Sequence, residues 1–262
     1  MKKTILFMFL SGLLVFTACN DDETSGKSSN ISFYLTDAPA VKDYAAVNID
    51  VQSISYSLGN ENWVTLPITP SVIELLQFTN GKDTLLSNVM LERDVAVKQI
   101  RLVLGDNNSL VLGDGTVVSL KVPSGQTSGL KLNVQSAPEL TSGYRVVIDF
   151  DAASSIVAKG NGEYSLKPVI RAYIDANTSS ISGKLTPVDE AIRVFTLDAA
   201  GDTISTISDP SLENYFILHG LFTGSYKIGL QNLTTHEFSV LKEGVNVVGG
   251  TNVNLGTVAI PE

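Results

Sequence analysis

Histidine, cysteine and tryptophan are nearly missing from this chain: of 262 residues, two are His, one is Cys and one is Trp. The two histidines, His219 and His236, are too few for a zinc centre of the usual His/Cys type. A single cysteine forms no disulfide within the chain, so packing alone must hold the fold. Clusters of Lys and Arg are also missing and the formal net charge is −9, which argues against the phosphate-neutralising patches that nucleic-acid binding needs. The long apolar run, from Ile5 to Phe16, falls short of the roughly 20 residues that a membrane-spanning helix requires. No long segment carries a 3.6-residue apolar stripe, so helix is a minor component.

What the chain does have begins at its N-terminus. Met1-Lys2-Lys3, the apolar run and the small pair Thr17-Ala18 stand directly before Cys19. A basic start, a short greasy segment and small residues before a cysteine make up a bacterial lipoprotein signal peptide, residues 1–18, with acylation of Cys19 as the expected anchor. One departure is Phe16, three residues before the cysteine, where the lipobox more often has Leu or Val. Two or more acyl chains anchor stably where one is marginal, so the membrane is an expected partner. Behind the cysteine, Asn20-Asp21-Asp22-Glu23 is similar to the acidic signal of Bacteroidetes lipoproteins, which implies the outer membrane with the protein facing the exterior. The alternative is a solvated tether over residues 19–29 with no receptor. Removing Lys2 and Lys3 with the leader takes the net charge from −9 to −11.

From residue 30 onward, apolar and polar residues alternate. Ile31, Phe33 and Leu35 do so, as do Val47, Ile49 and Val51; Ile100, Leu102 and Leu104; Leu130, Leu132 and Val134; Tyr144, Val146, Ile148 and Phe150; and Tyr164, Leu166, Pro168 and Ile170. Each segment predicts a half-buried strand. Asp114-Gly115 predicts a tight hairpin, and Asp151 caps one or two helical turns over Ala152 to Ile156. Residues 175–180, all small or polar, mark a boundary between two domains, 30–175 and 179–262. The expected fold class is all-β, two tandem β-sandwich domains of Ig-like or transthyretin-like type.

Two resemblances add to this reading. Leu35-Thr36-Asp37-Ala38-Pro39, Gly105-Asp106-Asn107-Asn108, Val122-Pro123-Ser124-Gly125, Ser128-Gly129-Leu130-Lys131, Asp149-Phe150-Asp151-Ala152 and Leu166-Lys167-Pro168-Val169-Ile170 together resemble an uncharacterised family of bacterial lipoprotein domains. That resemblance implies an all-β surface lipoprotein and brings no established activity. The second domain looks like the transthyretin-like or carboxypeptidase-regulatory module, on Ile181-Ser182-Gly183, Ile192 to Phe195, Asp198 to Gly201, Phe216 to Leu221 and the spacing Leu221-x-x-Gly224-x-Tyr226. It implies an accessory scaffold in which Leu221 and Tyr226 pack the core, with Asn214 standing in for a glycine at a positive φ.

Candidate sites are few. Asp37, Asp106, Asp149 and Asp151 supply oxygen ligands that would suit calcium, a hard cation; the bland alternative makes them turn formers, a cap and a solvated strand residue. Asp149 and Asp151, two apart on a strand, are also the one pair that could imitate a glycosidase, but no Gly-x-Ser-x-Gly or His-Glu-x-x-His motif accompanies them. The expectation is a protein without catalytic residues. Trp63, with Tyr56 across the same turn, is the candidate face for stacking on a sugar or gripping a protein partner; the competing reading is a core plug. The alternating segment 245–255 completes a seven-strand module, or alternatively serves as the donor strand of a pilin-like subunit. The reading as a whole is a lipid-anchored, non-enzymatic surface protein that binds a glycan or protein through its first sandwich, with no cofactor required.

Overall fold

The computed structural model describes residues 28–38, 44–59, 62–92, 95–123, 128–135, 143–187 and 190–261. The leader, Cys19 and Asn20 to Glu23 therefore lie outside the described residues. The first module contains β1 (Ser28–Ala38), β2 (Tyr44–Ser57), β3 (Val64–Thr65), β4 (Ser71–Glu74), β5 (Thr84–Glu92), β6 (Gln99–Leu104), β7 (Ser109–Leu112), β8 (Val117–Lys121), β9 (Leu130–Gln135), β10 (Tyr144–Asp151), β11 (Ile156–Ala158), β12 (Tyr164–Leu166) and β13 (Ile170–Ile174). These join in one sheet along the path β11-β12-β8-β7-β2-β6-β9-β13-β10-β1-β5, with β3 and β4 on the other edge of β2.

The sheet curls round a single core. Phe33 of β1, Ile54 of β2, Leu120 of β8 and Leu166 of β12 come from widely separated places on the path, yet they belong to one buried cluster. Alternation decides which residues enter it: Ile31, Phe33 and Leu35 are buried while Ser32, Tyr34 and Thr36 are only partly so. Each fully buried large side chain contributes about 1.5–3 kcal/mol.

Local signals act where the sequence put them. Asp151 accepts a hydrogen bond from Ser154 N at 2.8 Å and caps the one-turn helix α1 (Ala152–Ser155). The Asp114-Gly115 hairpin forms as a three-residue loop closed by Leu112 N to Thr116 O, rather than a two-residue turn. Gly105 to Asn108 bulges between β6 and β7, which run end to end along one edge of β2. Asp50 organises the bulge: its N–H donates to Asn108 Oδ1 at 2.8 Å, while its carbonyl and carboxylate receive Gly105 N and Asn107 N. A side chain at Gly105 would meet Asp50 Oδ2, so this stretch of sequence is a structural knot.

The second module has its own core, which includes Ile181, Val194, Phe216, Leu221, Ile228 and Val247. Its strands are β14 (Ser179–Thr186), β15 (Ile192–Leu197), β16 (Thr203–Ile207), β17 (Tyr215–Leu221), β18 (Gly224–Asn232), β19 (Phe238–Val247) and β20 (Asn252–Ala259). They form a three-stranded sheet, β17-β14-β20, packed on a four-stranded one, β16-β15-β18-β19. Leu221 and Tyr226 are buried, and Asn214 adopts φ 53° with its side chain bonded to Ser208 Oγ and Pro187 O. The segment 245–255 spans the end of β19 and the start of β20, and β20 pairs parallel with β14 inside its own module.

Candidate functional site

Period-2 alternation gives β10 and β13 a second face, carrying Arg145, Val147 and Asp149 from β10 and Arg171 and Tyr173 from β13. The second module covers part of it. Val147 and Tyr173 are buried, and Asp149 holds the Arg171 guanidinium through Nε at 2.8 Å and Nη2 at 2.6 Å. The fork of Arg171 continues across the junction, where Nη1 donates to Gly220 O at 3.0 Å and Nη2 to His219 O at 3.1 Å.

Both carbonyls belong to β17, an edge strand of its sheet. Asn80 closes the rest of that edge. Its amide nitrogen reaches Tyr215 O at 3.3 Å, and its amide oxygen accepts from Ile217 N at 3.0 Å, so one side chain stands in for a neighbouring strand residue. An uncovered strand edge invites pairing with another chain, and here side chains of the first module occupy it. Gly220, at φ 72°, permits this approach, since a Cβ there would lie 2.7 Å from the Tyr173 ring.

A cleft of about 100 Å³ remains within the junction, with Asp37, Asn80, Asp149, Arg171 and His219 in its lining. Burial lowers the pKa of His219, against the pull of Asp175, Asp149 and Asp83, and burial raises that of Tyr173. Arg145 links Asp83 and Asp175 beside it and lies 4.0 Å from the Tyr34 ring.

The structure does not gather Asp37, Asp106, Asp149 and Asp151 into one cluster. Among the described residues no group of three or more His, Cys, Asp or Glu could hold a metal ion. Asp149 is committed to Arg171, Asp151 to Ser154, and Asp106 sits exposed on the bulge at 105–108. Asp37 continues the Ile31-Phe33-Leu35 alternation onto the core side and is 4% exposed. Its Oδ1 accepts from Ala152 N at 3.0 Å, and its buried Oδ2 has no partner.

Trp63 and Tyr56 part company. Tyr56 is a core residue stacked on Phe33, with centroids 6.2 Å apart, so its place in a binding face is corrected: the alternation of β2 turns it inward. Trp63 is half-buried and lies outside the core cluster, so it is no core plug either. The Arg101 guanidinium carbon sits 4.1 Å from its ring centroid and Lys131 Nζ 5.8 Å from it. Thr65, Ser55, Arg101 and Lys131 form one row across β3, β2, β6 and β9, with Gln99 and Asn133, themselves hydrogen-bonded at 3.0 Å, in the next row. Sequence reasoning missed Arg101, Lys131, Asn80 and Arg171. Asn80-Gly81 was legible as a turn, but register alone joins the others.

Among solved structures, the chain is similar at low scores to several β-rich proteins. One is CBMbc, of family CBM26, from Eubacterium rectale Amy13K in complex with maltoheptaose, at 11% identity over 88% of this chain and 94% of that one, TM-score 0.21. Another is BcpA, the major pilin subunit of Bacillus cereus, at 8% identity over 87% and 69%, TM-score 0.20. A third is the fimbrial anchor protein Mfa2 from Porphyromonas gingivalis, at 11% identity over 87% and 90%, TM-score 0.20. No curated protein matches the chain. Residues 28–168, more than half of the chain and nearly all of the first module, match the model of the domain of unknown function DUF4382, and the chain belongs to that family.

Proposed function

We propose that this is a lipid-anchored, non-enzymatic protein of the outer membrane, facing the cell exterior, that binds a glycan or protein partner through the outer face of its first module. The observation that carries the binding reading is Trp63, the sole tryptophan, held outside the core on a polar sheet face beside Arg101 and Lys131. An aromatic ring among hydrogen-bonding side chains suits a ligand with an apolar face and a polar rim. The second module acts as an accessory: its β17 edge is taken up by the first module, and β20 completes its own sheet. The anchor and the outward address rest on the sequence of residues 1–23.

Trp63→Ala is expected to weaken binding of a captured glycan or protein by about tenfold or more, about 1.4 kcal/mol, while leaving the melting transition in place. Unchanged affinity in a titration of the variant overturns the site. Protease added to intact cells is expected to remove the protein rapidly, and Cys19→Ala to release it from the membrane. Protection until the outer membrane is broken would sink the outward-facing reading.

A further inference from the structure

We propose that the Trp63 face takes an anionic sugar: Arg101 and Lys131 meet the carboxylate of a uronate unit while Trp63 packs on its ring. This rests on the reading of Trp63 as a ligand site and names the class of ligand.

Among the described residues, Arg145 and Arg171 pair with carboxylates, and Arg193 donates to Gln231 and Ser205. Arg101 has no such partner among the described residues; its guanidinium lies against the Trp63 ring and its stem passes Gly129. Lys131 stands directly opposite Arg101 on the neighbouring strand, again without a carboxylate partner among the described residues. Two like charges directly opposite across a sheet repel, so this pairing costs stability unless an anion bridges it.

Burial sharpens the point. Arg101 Nε is covered and has no hydrogen-bond partner. Arg145 and Arg193 share that feature, but their terminal nitrogens are engaged. The guanidinium of Arg101 has thus given up part of its hydration with no carboxylate in return. In a chain of net charge −9, an adjacent pair of cations without a carboxylate partner among the described residues, beside an aromatic ring, is a local exception. Its fork geometry suits a carboxylate, and the indole beside it suits the C–H face of a pyranose.

The test is calorimetric titration of the protein with tetragalacturonic acid and with its fully methyl-esterified form, which has the same rings without the charge. Cellotetraose is titrated alongside. The free acid is expected to bind about tenfold tighter than the ester at low ionic strength, with the advantage shrinking as salt is added. R101Q combined with K131Q should abolish that advantage and leave ester binding in place, whereas W63A should weaken both. Equal binding of acid and ester overturns the anionic-sugar inference while the glycan-binding reading stands. Failure of all three oligosaccharides to bind the natively folded protein overturns the inference, and the glycan form of the reading with it. A melting temperature for R101Q/K131Q no lower than that of the native protein separates lost recognition from lost folding, since relieving the like-charge pair can only raise it.

Discussion

Arg171→Ala is expected to lower stability by about 3 kcal/mol, near the lower end of the cost of breaking a buried ion pair, and to separate the unfolding of the two modules. The pair it breaks is well shielded, with side chains 17% and 12% exposed. The substitution also leaves the carbonyls of His219 and Gly220 without their donor. Urea unfolding followed by tryptophan fluorescence reports the first module, because Trp63 is the only tryptophan, while far-UV circular dichroism reports both. The two midpoints should coincide in the native protein and part in the variant. A loss below about 1 kcal/mol with coincident midpoints would show that the junction behaves like an exposed ion pair. Arg171→Met combined with Asp149→Asn should recover part of the loss, since a buried charge without a partner costs more than no charge.

Asp37→Asn is expected to stabilise the protein at neutral pH, by about 1–3 kcal/mol, the order of an unsatisfied buried polar group. Burial raises the pKa of Asp37 well above the usual carboxylate range, against the lowering effect of the bond from Ala152 N, and Asp149, Asp151 and Glu74 add repulsion. A carboxyl whose pKa is higher folded than unfolded contributes stability that is fully present below the unfolded value, near 3.9, and is lost as pH rises through the folded one. The variant should therefore show a flatter profile of unfolding free energy between pH 4 and pH 8. Parallel profiles for the two proteins would refute the assignment. Asn keeps the acceptor that Ala152 N needs, so the comparison isolates the charge.

Both results turn on polar residues whose surroundings were hard to read in advance. Asp37 is a partial exception. It continues the alternation of Ile31, Phe33 and Leu35, and the same rule that placed those three in the core places Asp37 there too. Asp37, close before Pro39, also carries a turn signal, yet β1 runs on through Ala38. Asp149 differs, because alternation correctly turned it away from the core without saying that the second module would cover it. Trp63 stood between two readings for the same reason: alternation sets it on the other face from the buried Leu66, and only the register of β6 and β9 brings Arg101 and Lys131 beneath it.

The amino-acid order alone settled the all-β class, the inward-facing residues of the long strands, the Asp151 cap and the positive φ at Asn214. These are local matters, since side-chain period, capping and backbone φ depend on residues a few positions apart. Tertiary structure decided the rest: the parallel pairing of β1 with β10, the closing of the β17 edge by Asn80 and Arg171, the burial of the Arg171–Asp149 pair and the meeting of Trp63 with Arg101. Those partners stand tens of residues apart or more. Period-2 patterning tells which way a strand residue points, whereas what it meets there depends on how distant strands are registered and on which other surface packs against the sheet.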